Sequence, residues 1–169
     1  MRVFPVFRCV RVAGIIRQTC GLCKGVNLSQ FVWPVRVYYE DTDSGGVVYY
    51  AKYLKFMERA RTERLRAMGF EQDQLRRDFG VLFAVHSLQV DYVRPAVFND
   101  LLEVSATVSD QRRASLAFTQ EVRRCGDARP LLCRGQVRVA CIDAGSLRPR
   151  PIPGDIRTKL ATLETMDAS

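Results

Sequence analysis

Three carboxylates lie beside two glycines in the stretch EDTDSGG, and an aromatic-rich segment follows directly. The acids are Glu40, Asp41 and Asp43, and glycine lets a backbone bend sharply and a ligand approach it closely. A helix predicted to begin near Tyr50 offers unpaired N–H groups and a positive dipole end, where a developing oxyanion is stabilised. A carboxylate just before such a helix can attack a carbonyl carbon or activate water, so the stretch fits acyl transfer.

The same stretch has one structural alternative and resembles three other kinds of site only in part. Asp, Ser and Gly are also ordinary turn and cap formers, so a purely structural role stays open. A calcium loop beginning at Asp41 would need a glutamate where Lys52 stands and an acid where Gly45 stands. A phosphatase loop belongs in an alternating α/β chain, which this is not. A Ser-His-Asp site has no G-x-S-x-G elbow here, and the only histidine is His86.

Apolar periodicity predicts a strand and a long helix on either side of the acidic stretch. Apolar and polar residues alternate over residues 35–40, as in a half-buried strand. Residues 50–68 carry apolar side chains at helical intervals with charged side chains between them. Gly69 and Phe70 predict the helix stop, because glycine accepts a left-handed cap and the aromatic ring can fold back on the last turn.

The second half of the chain is predicted to be almost entirely strand. A short helical stretch is expected at 71–78, and alternating or β-branched segments follow it. These strands are predicted over residues 81–93, 101–110, 114–124 and 131–143. Three prolines in residues 148–155 predict that the sheet ends there and that a frayed tail follows. One long helix and consecutive antiparallel strands indicate an α+β fold in which the sheet curls around the helix.

Composition limits the protein to one domain and disfavours several functions. The 169 residues carry a net charge of +8, but residues 1–31 hold five basic residues and no acidic one, which leaves 21 basic against 18 acidic residues. Those are interleaved as on a solvated helix face, so we expect no nucleic-acid partner. The six cysteines form no disulfide framework, and the Cys20–Cys23 pair has no neighbouring ligands, so we expect a reducing compartment and no metal site.

Residues 1–31 form a basic leader that does not match the rest of the chain. Arginines interrupt every apolar run, so we expect neither a signal peptide nor a membrane span. Its composition is that of a mitochondrial transit peptide, and a translation start assigned too far upstream explains the same features. In a bacterial host, Val26 or Leu28 could be an alternative start. We favour the second interpretation, and the leader is then a disordered or non-native segment.

The segment VRVYYEDTDSGGVVYYAKYLKFMERARTERLR resembles the opening of the YbgC-type acyl-CoA thioesterases of the Tol-Pal system, relatives of 4-hydroxybenzoyl-CoA thioesterase. The resemblance continues through FAVHSLQVDYVRPA and SLAFTQEV to CIDAGSLRPRPIP and covers residues 32–157, leaving a C-terminal tail at 158–169. It implies a hotdog fold, in which a five-stranded antiparallel sheet wraps a long central helix. It further implies acyl-CoA hydrolysis in the cytoplasm by a homodimer or homotetramer, without a metal or bound cofactor.

The resemblance assigns roles to individual residues. Asp43 is implied to be the catalytic carboxylate, acting as nucleophile or as general base for water. Tyr50, seven residues on, is implied to supply a backbone N–H to the thioester carbonyl. The family usually has V-V-Y-H where this chain has V-V-Y-Y, and a tyrosine with a pKa of about 10 is a poor base near neutral pH. Arg150 stands where the family has a basic residue after its last strand, which implies a contact with a phosphate of CoA, and a solvated position in the tail is the alternative.

Two other functions stay open at this point. One is a hotdog enoyl-CoA hydratase or dehydratase, but such a site needs a histidine beside a carboxylate, and His86 lies outside the acidic stretch. The other is a scaffold without activity, which binds acyl carrier protein or envelope-synthesis enzymes through its basic surface. Release of free CoA from an acyl-CoA separates these functions from a thioesterase.

Overall fold

Six strands form one antiparallel sheet in the computed structural model, which describes residues 31–167. The strands are β1 (Val32–Arg36), β2 (Val81–Tyr92), β3 (Leu101–Ser105), β4 (Thr107–Gln111), β5 (Ser115–Arg124) and β6 (Leu131–Asp143). Their order is β1-β3-β5-β6-β2, and β4 pairs with β5. The helices are α1 (Tyr50–Ala67), α2 (Gln72–Gln74), which continues into a π turn at Leu75–Phe79, and α3 (Gly154–Asp167). The predicted α+β class is confirmed.

The strand predicted over residues 101–110 is divided in two at Ala106. The Ala106 N–H donates to the carbonyl of Phe31, 3.1 Å away, and its carbonyl accepts from Arg64 of α1 at 2.7 Å. Both backbone groups of Ala106 are therefore used outside the β5 ladder. As a result, β3 pairs with β1 and β5 whereas β4 pairs with β5 alone, and the sheet has six strands rather than the predicted five.

Helix α1 packs on one face of the sheet along the middle of β5 and β6. Gln120 of β5 is fully buried, and its side-chain amide donates to the carbonyls of Met57 and Ser105 at 3.0 and 3.1 Å. Gly135 of β6 lies opposite Gln120 in the register and leaves room for the buried side chain of Met57. The Gln120 amide therefore binds the backbone of α1, and the missing side chain at Gly135 lets the helix lie close to the sheet.

The C-terminal segment forms a helix, so the predicted frayed tail is wrong for this part of the chain. Helix α3 begins at Gly154, directly after the proline-rich segment, and Ile156 and Leu160 are buried at a spacing of four residues. Lys159 donates to the carbonyl of Met68 at 2.8 Å, where α1 has just ended. The prolines end the sheet as predicted, but an apolar helical face follows them and covers the end of α1.

Strand β2 is a long edge strand with exposed apolar side chains. It pairs with β6, and within the described residues no strand pairs with its other side. Val85, Leu88 and Tyr92 are 56%, 42% and 50% exposed, and His86 lies at a register shift in the middle of the strand. No helix in the described part of the chain is long and apolar enough to cross a membrane. The predicted leader lies outside the described residues except for Phe31.

Candidate active site

Asp41 braces the loop that precedes α1. It ends a single 3-10 turn, Tyr39–Asp41, and is only 5% exposed. Its carboxylate accepts the N–H of Tyr38 at 2.9 Å and pairs with Lys52 in the first turn of α1 at 3.1 Å. Its carbonyl accepts the N–H of Tyr49, the residue before the helix, at 2.8 Å. One buried acid therefore ties both ends of the acidic loop together.

Asp43 lies in the turn at the tip of the same loop and is exposed. Its backbone N–H donates to Val47, and its carbonyl accepts from Gly46, which has a φ of 75° that favours glycine. One carboxylate oxygen accepts the N–H of Gly45 at 2.8 Å, and the other contacts no donor among the described residues. The turn thus fixes the Asp43 side chain through one oxygen and leaves the second available.

Tyr50 is the first residue of α1, and no side chain caps the helix at this end. The first N–H groups of a helix have no intrahelical acceptor. The Lys52 N–H finds the carbonyl of Tyr49 at 2.8 Å, whereas the Tyr50 N–H has no acceptor in the described part of the chain. The helix start therefore presents a free donor, seven residues after Asp43, to any carbonyl oxygen that enters.

The side chain of Tyr50 belongs to an aromatic cluster at the helix start. Its ring is 59% exposed, and its centroid lies 4.4 Å from that of Tyr49. A hydrogen bond to the Tyr50 hydroxyl raises the pKa of Tyr49 above its usual value. The Tyr92 hydroxyl donates to the carbonyl of Tyr50 at 3.1 Å, which connects the end of β2 to the site. The Tyr50 phenol therefore lies where the sequence resemblance predicts an imidazole, next to the phenol of Tyr49.

Tyr53 is a positioning residue that the sequence analysis did not single out. Its hydroxyl accepts the N–H of Ala96 at 2.9 Å inside the core, where burial raises the pKa of Tyr53. The carbonyl of Ala96 in turn accepts the N–H of Val48, next to the helix start. The loop after β2 is thereby fixed against the acidic loop. In the sequence, Tyr53 falls on the apolar face of the predicted helix, and this spacing predicts only a buried core residue.

Arg150 is not brought near Asp43 and Tyr50 within one chain. It donates to the carboxylate of Asp143 at 3.0 Å and to the carbonyl of Gly80 at 3.3 Å. These residues lie at the Val81 end of β2, whereas the aromatic cluster lies at the Tyr92 end. Eleven strand steps separate the two ends by roughly 35 Å. A role for Arg150 at this site therefore depends on a second subunit.

Two adjoining cavities run along α1 beyond the helix start, and we call them together the α1 groove. The first, of about 350 Å³, extends from Leu54 to Arg61, and the second, of about 120 Å³, extends from Glu58 to Leu65. Both share Glu58, Arg61 and Val85, and apolar side chains of β2, β5 and β6 form the opposite wall. Neither cavity is lined by Asp43, but the first begins one helical turn after Tyr50.

Comparison with known proteins identifies the class. The sequence model of the Thioesterase superfamily matches residues 45–130. The crystal structure of a probable thioesterase from Bartonella henselae superposes with a TM-score of 0.67 at 32% identity, covering 73% of this chain and 99% of that one. The chain belongs to the thioesterase superfamily, and its sheet and long helix are the hotdog fold.

Within this superfamily the chain is similar to the YbgC enzymes. The acyl-CoA thioester hydrolase YbgC of Escherichia coli O157:H7 is 44% identical over 131 residues, which cover 78% of this chain and 96% of the relative. The acyl-CoA thioesterase YbgC of Haemophilus influenzae is 44% identical over 127 residues, 75% of this chain and 91% of the relative. The family resemblance seen in the acidic stretch is confirmed.

Proposed function

We propose that this protein hydrolyses acyl-CoA thioesters to a free acid and CoA. The observation that carries the proposal is the single braced loop that holds Asp43 on one side and the free N–H of Tyr50 on the other. Asp41 fixes both ends of this loop, so little reorganisation is needed when a substrate carbonyl enters. The named activities of the YbgC relatives support the same reaction.

The mechanism uses Asp43 and the start of α1. The Tyr50 N–H donates to the thioester carbonyl oxygen and stabilises the oxyanion that develops there, an effect of about 10²–10³ in rate for one donor. The free oxygen of Asp43 either attacks the carbonyl carbon, giving a mixed anhydride that water hydrolyses, or removes a proton from the attacking water. In both routes the C–S bond breaks and the sulfur leaves as the thiolate of CoA, which then takes up a proton. We propose that neither a metal nor a bound cofactor takes part.

Release of free CoA, measured with a thiol reagent, tests this proposal. In Asp43→Asn the side-chain amide oxygen replaces the carboxylate oxygen that accepts the N–H of Gly45. The turn is therefore preserved while the negative charge is lost. We expect kcat to fall by at least about 10²-fold. Glu40→Gln is the matched control, because Glu40 is an exposed acid of the same stretch. A folded Asp43→Asn variant that releases CoA at the rate of the native protein would exclude the assignment.

Isotopic labelling distinguishes the two routes. After a single turnover in water enriched in oxygen-18, a nucleophilic Asp43 acquires the label in its carboxylate when water opens the anhydride there. A general base never bonds to the substrate, so the label then appears only in the released acid. Label in the peptide that contains Asp43, detected by mass spectrometry, identifies the nucleophilic route, whereas an unlabelled peptide also fits an anhydride that water opens at the acyl carbon.

We further propose that the active unit is a homodimer joined through β2. Two such dimers would form the tetramer that is the alternative assembly. The support is the long, unpaired and apolar outer edge of β2. Two-fold pairing of this edge is antiparallel, so the Val81 end of one strand meets the Tyr92 end of the other. Arg150 of the partner subunit then approaches Asp43 and can bind a phosphate of CoA. Arg150→Met is expected to raise KM for acyl-CoA but not for an acyl-pantetheine thioester, which lacks those phosphates.

The remaining assignments come from the family resemblance. We propose that the enzyme works in the cytoplasm with the Tol-Pal system and that acyl carrier protein is a further partner. Arg123 and Arg134 share the single carboxylate of Glu121, and the net positive charge of this group supports binding to an acidic carrier. Hydrolysis of an acyl-carrier-protein thioester, compared with the same acyl group on CoA, tests the last assignment.

A further inference from the structure

One stripe of α1 connects the helix start to the α1 groove. Tyr50, Leu54, Glu58, Arg61 and Leu65 follow each other at intervals of four, four, three and four residues, so they lie on the same face of the helix. The last four line the groove. An acyl group whose carbonyl oxygen meets the Tyr50 N–H can therefore extend along this stripe into the groove.

Arg61 is a half-buried cation that forms no salt bridge within the described part of the chain, although the charge of the Glu58 carboxylate acts on it. One of its terminal nitrogens donates to the side-chain carbonyl of Gln120 at 2.7 Å, and burial lowers the pKa of Arg61. Gln120 is itself fixed by the carbonyls of Met57 and Ser105, so the guanidinium is held in place. The other N–H groups of Arg61 are not buried without a partner, so they are open to water or to a polar group that enters the groove.

Glu58 lines the same part of the groove as Arg61 and offers a carboxylate oxygen as acceptor. One of its carboxylate oxygens accepts from the Thr62 hydroxyl at 2.9 Å, and Thr62 accepts from Gln72 at 2.8 Å. Glu58 and Arg61 both line the two cavities, yet they form no ion pair with each other. The cavities thus meet at a point with a free N–H donor on one side and a free carboxylate oxygen on the other, between apolar walls.

We infer that Arg61 and Glu58 select acyl groups that carry a hydroxyl near their distal end. The inference rests on the proposed thioesterase activity. A hydroxyl accepts from Arg61 and donates to Glu58 at once, whereas a terminal methyl does neither and a carboxylate accepts from Arg61 but is repelled by Glu58. Glu58 lies eight residues after Tyr50, about 12 Å along the helix. An extended chain advances roughly 1.2 Å per bond, so the hydroxyl lies about ten bonds from the carbonyl carbon.

Matched substrates test this selectivity in the full-length protein. The probes are 10-hydroxydecanoyl-CoA, decanoyl-CoA and decanedioyl-CoA, which share a chain length and differ at the distal carbon. We expect kcat/KM for the hydroxyacyl substrate to exceed that for decanoyl-CoA by about tenfold, since two hydrogen bonds are gained. The dicarboxylic substrate should also be poorer than the hydroxyacyl substrate, since it cannot donate to Glu58. Equal values for the hydroxyacyl and decanoyl substrates, or preference for the dicarboxylic one, would overturn the inference.

Two variants assign the selectivity to its residues. Arg61→Met and Glu58→Met should each reduce the hydroxyacyl preference by at least about threefold, while turnover of decanoyl-CoA shows that each variant is folded. Glu58 is exposed, so we expect Glu58→Met to fold. It therefore still tests the selectivity if Arg61→Met is unstable. Arg59→Met is the control, because Arg59 lies on the exposed face of α1 and should leave the preference intact. A preference that survives both groove variants refutes these roles.

The outcome is separable from that of the proposed function. If no acyl-CoA is hydrolysed, or if Asp43→Asn keeps full activity, the thioesterase proposal fails. If all three substrates are hydrolysed in an Asp43-dependent way at similar kcat/KM, the hydrolase stands and only the hydroxyacyl selectivity is refuted.

Discussion

Replacing Gly135 by alanine tests how closely α1 lies on the sheet. A Cβ atom at this position would lie 2.7 Å from the sulfur of Met57 and 3.0 Å from its terminal methyl. The Met57 side chain is fully buried, and the cavity of about 350 Å³ that it borders offers part of the space it needs to move. Gly135 is not among the glycines with positive φ, so alanine causes no backbone strain. Steric overlap is therefore the main cost.

The expected loss of stability follows from two opposing effects. Overfilling a packed core costs about 1–3 kcal/mol, and Met57 can relieve part of it because its side chain is flexible. Replacing a glycine at a compatible backbone position gains about 0.4–1 kcal/mol through the unfolded chain. The net loss is about 1–2 kcal/mol in the free energy of unfolding. For a chain of this size that lowers Tm by about 3–6 °C, measurable by calorimetry.

A control and a double mutant complete this test. Gly154→Ala adds the same methyl group where nothing lies within 4 Å, so Tm should stay the same or rise slightly. Met57→Ala removes the atoms that the new methyl would meet. Its combination with Gly135→Ala should be more stable than the sum of the single changes predicts, by about 1 kcal/mol. An unchanged Tm in Gly135→Ala, or strict additivity in the cycle, would refute the close packing.

Two further predictions concern the helix start. Lys52→Met leaves the buried carboxylate of Asp41 without its cation, so we expect a loss of about 2 kcal/mol in chemical denaturation. Lys55→Met, at an exposed position without an ion pair among the described residues, should change stability by less than about 0.5 kcal/mol. Tyr50→His leaves the backbone N–H in place but disrupts the contacts with Tyr49, so hydrolysis should persist with rates or acyl preferences altered by up to about tenfold. Identical rates across a panel of acyl-CoAs would show that the phenol is silent.

Helix α1 illustrates what the sequence predicts well. The predicted range 50–68 agrees with the observed Tyr50–Ala67. Both determinants are local, namely an apolar face of regular spacing and a stop in which Gly69 adopts a φ of 84° and the Phe70 N–H donates back to Leu65. Where structure depends on neighbours in the chain, pattern alone is sufficient.

The division at Ala106 and the formation of α3 were not predictable in the same way. Ala106 leaves the β5 ladder because Arg64, forty-two residues earlier, takes its carbonyl. Helix α3 is stabilised by burial of Ile156 and Leu160 against elements that come long before it. Likewise, the residue types in EDTD do not by themselves distinguish Asp41 from Asp43. The structure does, because Asp41 is buried and Asp43 is exposed. The division at Ala106 and the formation of α3 thus depend on contacts between distant segments.

The proposed chemistry and the proposed selectivity therefore have different origins in the chain. The acidic loop is held mainly by contacts within about a dozen residues, such as Asp43 with Gly45 and Asp41 with Lys52. The guanidinium of Arg61 is instead positioned by Gln120, fifty-nine residues away on β5. Substitutions on β5 and β6 can thus change which acyl group is accepted while the hydrolytic loop stays intact. A change at position 120 that keeps the fold should alter the substrate preference without altering the dependence of turnover on Asp43.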